Sequence, residues 1–328
     1  MVLGGTGFLG SHVVERLAKR DRHLTIVSRG DGWPWGDPPN GVRHRSIDIT
    51  GQDAQRQLDK VLANASVVVN LTGILARPTH RNDAYTRLHV DGTHRVVDAL
   101  AHAKVPRSRL IHVSTTGVLG PTTTAPRDEE AIPAPSTVYE RTKLEGETIA
   151  LAARRPNREV VIVRPGMVYG PRDLHLFRWF QAIEQGTYWP VAGGRALWQP
   201  IFVDDLVRGI EAALDVEGAD GQTFHLAGTE RLTIVELYAR IAQILGRPAR
   251  TASIPRPLAM AAGVLLEAAY KPWHRDPPLS RARVRTMTEN RVYAIDRAET
   301  LLGFRPEISL NQGLVLTINW YRMRGLLA

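Results

Sequence analysis

The stretch Met1-Val2-Leu3-Gly4-Gly5-Thr6-Gly7-Phe8-Leu9-Gly10 decides the fold. A short apolar strand runs into a glycine turn, and the residues that follow, 11–19, set Val13, Val14 and Leu17 at helical spacing. Glycine serves three purposes in such a turn. One glycine permits the tight reversal, a second lets the backbone approach a pyrophosphate, and a third lets helix and strand pack closely. The helix amino end then offers free N–H groups to phosphate oxygens. A glycine-rich turn alone is a generic strand-to-helix connection. Its place in the first such unit of an alternating chain is what points to a dinucleotide, with Gly4, Thr6, Gly7, Phe8, Leu9 and Gly10 as the expected contacts.

Working outward, the second strand (23–28) ends in Ser28-Arg29-Gly30. A carboxylate about 20 residues past the turn would grip the ribose hydroxyls of NAD. None stands at this tip, and Asp31 lies beyond a glycine. Arg29, with its planar donor fork, suits a 2′-phosphate and favours NADP, with Ser28 beside it. A solvated loop arginine would look the same, so NAD stays open.

Further strands are expected at 42–47, 65–71, 110–114 and 159–164, with helices at 85–103 and 136–153. Continuous apolar runs such as Val67-Val68-Val69 fit strands buried on both faces. Strands alternating with helices imply right-handed crossovers and a mostly parallel sheet. The fold class is therefore α/β: a Rossmann-type doubly wound parallel sheet with a smaller, mainly helical C-terminal substrate lobe. After Pro165 proline and glycine become denser. The expected division is a nucleotide-binding domain over 1–170, with elements returning near 200–226, and an interleaved lobe over 171–328. The first strand has three residues where five or six are usual, which suggests a natural start further upstream.

Bulk properties narrow the class. The 328 residues carry 42 Lys+Arg against 33 Asp+Glu, a formal charge of +9. That favours anionic small-molecule partners, but the basic residues are dispersed rather than blocked, which argues against nucleic acid. Arginine richness also follows from a GC-rich genome. With no cysteine, disulfides and thiolate chemistry are excluded. The longest apolar run, 258–269, is interrupted by Glu267 and too short to span a bilayer, though it could touch a membrane peripherally. No signal peptide is visible, and the expected location is the cytoplasm.

Tyr139 and Lys143 stand four apart on the helix at 136–153, hence on one face. A free phenol titrates near 10, too high for a base at neutral pH. A nearby ammonium and the positive ring of an oxidised nicotinamide would lower it. The strand before that helix ends in Ser114-Thr115-Thr116-Gly117, putting hydroxyls at a strand's carboxyl end, where open α/β sheets build sites. Loop capping explains one of those hydroxyls, not the wider arrangement.

Together these residues resemble the extended short-chain dehydrogenase/reductases, the NAD-dependent epimerase/dehydratase group. The resemblance runs through the glycine turn, Asp48-Ile49, Asn70-Leu71-Thr72-Gly73, Val90-Asp91-Gly92-Thr93, Ser114 to Gly120, Tyr139 to Lys143, Arg164-Pro165-Gly166-Met167-Val168-Tyr169-Gly170-Pro171 and Val203-Asp204-Asp205. It implies that Gly4, Gly7 and Gly10 hold the pyrophosphate and that Asp48 and Ile49 flank the adenine. Leu71, Thr72 and Gly73 would line the path to the nicotinamide, and Pro165 and Val168 would shape its pocket. Tyr139 would be the acid/base, Lys143 its partner and a ribose ligand, and Thr115, rather than Ser114, the substrate-orienting hydroxyl. Two departures stand out: His89 occupies the place of the family's asparagine, and Leu119 that of a tyrosine. Closing motifs such as Pro278-Leu279-Ser280-Arg281 and Leu302-Gly303-Phe304-Arg305-Pro306 are similar to those of the 3β-hydroxysteroid dehydrogenase-like branch.

The leading expectation is hydride transfer between a nicotinamide and a hydroxyl or ketone substrate. A nucleotide-sugar epimerase or dehydratase with tightly held NAD is the alternative enzyme, and a non-catalytic NADP-binding scaffold or sensor the alternative of another kind. A homodimer is compatible with the resemblance. The histidine pairs 89/94 and 102/112 lack the spacing of a metal site. Arg275, Arg281, Arg283 and Arg285 form a basic patch that fits a solvated face or an anionic ligand, and Trp179, Trp189 and Trp198 fit either a substrate pocket or a core.

Overall fold

The computed structural model describes all residues except 21–22, 31, 76–80 and 274–276, so Asp31 and Arg275 lie outside the described residues. Strands β1 (Val2–Leu3), β2 (Thr25–Ser28), β3 (Arg43–Ser46), β4 (Val67–Asn70), β5 (Ser108–Val113) and β6 (Arg158–Pro165) form one sheet. Two short strands then leave it, β7 (Met167–Tyr169) and β8 (Leu197–Trp198), followed by β9 (Pro200–Phe202), β10 (Thr223–Leu226) and β11 (Leu232–Thr233). The sheet order is β3-β2-β1-β4-β5-β6-β10, with every neighbouring pair parallel. The order reverses between β1 and β4, which opens a crevice at the strands' carboxyl ends.

Alternation within each strand feeds two cores. Val2, Ile26, Val69, Ile111 and Val161 point to the face covered by α1 (Phe8–Ala18). Leu3, Val27, Val68, Leu110 and Val160 point to the other. That second face is covered by α2 (Ala54–Leu62), α4 (Gly92–Ala101) and α5 (Val138–Ala152), while α3 (Asn82–Tyr85) packs on α5. The single helix expected at 85–103 is observed as α3 and α4 joined by a π-turn over Thr86–Asp91.

Of the two returning segments, 223–226 is β10 on the sheet's edge beside β6, whereas 201–203 overlaps β9, which pairs with β7 and not with the central sheet. The rest of the C-terminal part is mainly helical: α6 (Phe177–Glu184), α7 (Val203–Asp215), α8 (Ile234–Ile244), α9 (Arg256–Tyr270), α10 (Arg281–Thr286), α11 (Asp296–Leu302) and α12 (Leu310–Met323). Helix α7 lies against α1. Three pairs, His12–Asp204 (3.2 Å), Arg16–Glu211 (2.7 Å) and Arg20–Asp215, join α7 to α1 and a residue just past its end. The lobe shares the first core: Phe180, Tyr238 and Tyr321 belong to one apolar cluster with Val161 and Val163. Trp179 and Trp198 meet edge to face, 6.1 Å apart, and fill that core, while Trp189 is exposed beneath Arg250.

Candidate active site

The glycine turn is built as its composition requires. Gly4 has φ +79°, and a Cβ there would stand 3.0 Å from the Leu71 carbonyl oxygen. A Cβ at Gly10 would collide with the Gly4 carbonyl, so this glycine seats α1 against the strand end. At Gly7, by contrast, a Cβ would meet only the Gly4 oxygen, at 3.4 Å. Gly7 caps α1 with no side chain bonded to the helix end, which leaves N–H groups of the first turn to a ligand. Close packing behind, open space in front and an uncapped helix end fit a pyrophosphate.

Two residues not anticipated from sequence flank the turn. The Trp35 indole donates to the Thr6 carbonyl (2.9 Å), and Arg172 stacks its guanidinium 5.5 Å from the Trp35 ring centre while donating to Ser11 Oγ (3.1 Å). Neither stood in a pattern that sequence alone could tie to the turn, since both arrive on loops.

Along the crevice, Asn70 at the end of β4 accepts from the Thr72 amide (3.1 Å) and hydroxyl (2.6 Å). This fixes the segment Leu71, Thr72 and Gly73 between the glycine turn on one side and α5 on the other. A Cβ at Gly73 would lie 3.4 Å from His89 Nε2 and 3.7 Å from Lys143 Nζ. At the other end, Arg29 is exposed and Ser28 Oγ bonds His44 Nε2 (2.7 Å). Asp48 accepts from the Thr50 amide and hydroxyl; burial works against its charge, but these bonds with Arg29 and Arg87 hold its carboxyl below the usual range. Ile49 is buried in the second core, against Gly92, rather than presented along the crevice.

Helix α5 begins with a capping box in which Thr137 and Glu140 bond each other's backbone amides. Glu140 also accepts from Ser136 and from Arg291 (2.8 Å), so the turn carrying Tyr139 is held on three sides. Tyr139 is half-buried with the Thr115 hydroxyl close to its phenol, and its ring meets His89 edge to face at 5.6 Å. Thr115 in turn accepts from the Gly117 amide (3.1 Å). Ser114, the hydroxyl passed over, is buried with no partner, and Thr116 donates to the Pro165 carbonyl (3.1 Å). Val168 sits in β7, partly exposed.

Electrostatics separate the two members of the pair. Loss of solvation pushes the Tyr139 phenol up to about 12, with the nearby Thr115 hydroxyl opposing and Glu140 and Tyr85 adding to the rise. Burial pushes the Lys143 ammonium down to about 8, partly offset by Glu147 one turn on. Lys143 donates to the Val113 carbonyl (2.7 Å). Behind the pair lies a polar layer that sequence reading missed: Glu147 with Arg164 (2.7 and 2.9 Å), and His112, driven down to about 3 by burial and by Lys143.

Residues 1–227 match the model of the NAD dependent epimerase/dehydratase family. The protein is 27% identical to a 3beta-hydroxysteroid-dehydrogenase/decarboxylase of Arabidopsis thaliana, over 97% of this chain and 78% of that one. It is 25% identical to the decarboxylating sterol-4-alpha-carboxylate 3-dehydrogenase of Saccharomyces cerevisiae, over 98% and 97%. The solved UDP-glucuronic acid 4-epimerase of Bacillus cereus, holding UDP-glucuronic acid and NAD, has the same fold, with TM-score 0.77 at 23% identity over 98% of each chain. A family model covering the first two-thirds of the chain, relatives spanning nearly all of it, and a reversed-order parallel sheet with this glycine turn agree: the chain belongs to the NAD-dependent epimerase/dehydratase family and is an enzyme of the extended short-chain dehydrogenase/reductases.

Proposed function

We propose that the protein transfers hydride between a nicotinamide dinucleotide and a hydroxyl or ketone substrate, with Tyr139 as the acid/base. The observation that carries this reading is the placement of the Tyr139 phenol close to the Thr115 hydroxyl at the carboxyl end of β5, with Lys143 one turn on beside Gly73. Two relatives named as steroid or sterol dehydrogenases, and the closing motifs of the C-terminal part, favour an alcohol or ketone over a nucleotide sugar.

When bound, the dinucleotide supplies the hydride donor or acceptor and, oxidised, a positive charge that favours phenolate. Gly4, Thr6, Gly7, Phe8, Leu9 and Gly10 would hold its pyrophosphate, and Leu71, Thr72, Gly73 and Lys143 its second ribose. Pro165 and Val168 would border the ring, and Asp48 would lie toward the adenine. Thr115 orients the substrate oxygen toward the phenol. Because burial keeps Tyr139 protonated, it stands ready to give its proton to a carbonyl oxygen in the reducing direction. In the oxidising direction it must first lose that proton. Arg29, exposed at the end of β2 next to the basic strand Arg43, His44 and Arg45, supports NADP over NAD.

Tyr139→Phe is the test. Loss of general acid–base assistance should lower kcat by about 10²–10⁴ in a ketone or alcohol assay while dinucleotide affinity stays within about twofold. Retained turnover in the variant would overturn the reading. So would tightly held NAD released only on denaturation together with nucleotide-sugar conversion, which belongs to the epimerase.

A further inference from the structure

Helix α9 has an outer face that nothing in the described structure covers. At 100° per residue, its exposed positions Leu258, Ala261, Val264, Leu265 and Ala268 fall, with Ala269, in one stripe about 140° wide. Leu258 is 61% exposed and Leu265 71%, and Trp273, just past the helix, is 68% exposed. The inner face is apolar as well: Ala259 packs with Val191 and Val284, and Gly263 lies against Ser280 and Arg281 of the α10 segment. A helix that is apolar all round is normally buried on all sides, so this one lacks an outer partner.

Its charges say what that partner is. The stripe itself has none. Lys271 closes the helix at the edge of the stripe, whereas Arg256 opens it on the opposite side; both are exposed. Between them stands one acid, Glu267, and its carboxylate is taken by the Arg281 amide and guanidinium, both at 2.8 Å. The result is an apolar strip about 22 Å long with a cation and an exposed tryptophan side by side at its carboxyl end. Lysine, arginine and tryptophan are the side chains that settle at a lipid–water boundary. A parallel second copy fits poorly, because twofold symmetry would set each Lys271 against itself.

We propose that α9 docks the protein peripherally on an anionic membrane surface, its leucines and Trp273 entering the headgroup boundary and Lys271 meeting lipid phosphates. Among the described residues no helix is long and apolar enough to cross a membrane, so the attachment is surface docking. The docked lobe leads to the candidate active site, because the segment after α10 carries Arg291, whose guanidinium holds Glu140 beside Tyr139. The inference stands on α9 alone and does not depend on the reaction proposed above.

The test is sedimentation of the full-length protein with vesicles of phosphatidylcholine, with and without phosphatidylglycerol, alongside light scattering. The wild type should sediment with the anionic vesicles and less so at high salt. The double variant Leu258→Asp/Leu265→Asp should lose at least about tenfold in affinity. Lys271→Glu should lose about fivefold or more for anionic vesicles. All three positions are exposed, so thermal melts should be unchanged, and Ile132→Asp, exposed outside the stripe, should bind as wild type does. Absence of wild-type binding, or equal binding by the leucine variant, overturns the proposal. A wild-type dimer that the leucine variant dissociates, without vesicle binding, assigns the stripe to a second copy instead.

Discussion

At the residue scale, what could be read from sequence was the chemistry attached to a fixed spacing. Tyr139 and Lys143, four apart, had to share a helix face wherever that helix went, and Thr115 had to sit at a strand's carboxyl end. What could not be read was that Lys143 donates to the Val113 carbonyl. That outcome depends on side-chain directions set by packing. Trp35 and Arg172 were illegible for a different reason: loop residues meet the glycine turn only through tertiary structure. Arg29 is the most direct target at this scale. If it binds the 2′-phosphate, Arg29→Ala should weaken NADPH binding by about 10- to 100-fold, the worth of a charge-assisted bond, and NADH by less than about threefold. Titration calorimetry with both nucleotides checks this, and equal losses would remove Arg29 from cofactor choice.

At the element scale, strand and helix types followed from period and composition, but two features escaped. Helix α2, Ala54–Leu62, offers only Ala54, Leu58 and Leu62 to the core among polar residues, too thin a stripe to stand out. The π-turn in the long helix left no mark in its apolar periodicity. It carries His89, the departure from the family's asparagine, and gives that residue a defined task. His89 Nε2 accepts from the Ile74 amide (3.2 Å), so Nδ1 holds the proton and donates to Thr142 Oγ1 (2.9 Å). Thr142 donates onward to the Val138 and Tyr139 carbonyls (3.0 and 3.1 Å). The ring thus ties the segment after β4 to the first turn of α5. Burial, with Lys143 and His112, drives its pKa down to about 2, so it stays neutral at working pH. His89→Ala strands a partly buried amide, costing about 1–3 kcal/mol, and should raise the dinucleotide Kd about tenfold. His89→Asn should recover part of that, and neither should shift the pH profile of kcat. A shifted profile would make His89 a titrating participant.

At the scale of the whole molecule, three buried imidazoles make stability depend on acidity. His89 is held at about 2, and His112 and His225 at about 3, in each case chiefly by burial, against 6.5 when exposed. A base depressed in the folded state stabilises it above the unfolded pKa and loses that contribution as pH falls below it. Between about pH 6 and pH 4 the unfolded chain binds up to three more protons, so stability should fall by as much as about 4 kcal/mol per pH unit. Asp173, raised to about 6 by burial, acts in the opposite direction over the same window and reduces the slope. Urea denaturation at stepped pH measures it, and a flat profile from pH 7 to 4 would show that the histidines are hydrated. The α/β class and reversed-order sheet were legible because alternating apolar runs can satisfy two faces in few ways. The interleaving of the C-terminal part was legible only in outline, because pairing partners of short strands such as β7 and β9 are chosen by neighbours far along the chain.

That interleaving bears on how the protein is made. The glycine turn and Tyr139 leave the ribosome early, yet β6 gains its outer neighbour, and α1 its ladder of ion pairs, only from residues 203–226. A nascent chain of 170 residues therefore carries every group proposed for the chemistry while one sheet edge stays open and one helix uncovered. Its nucleotide crevice matures only after synthesis has moved well beyond it.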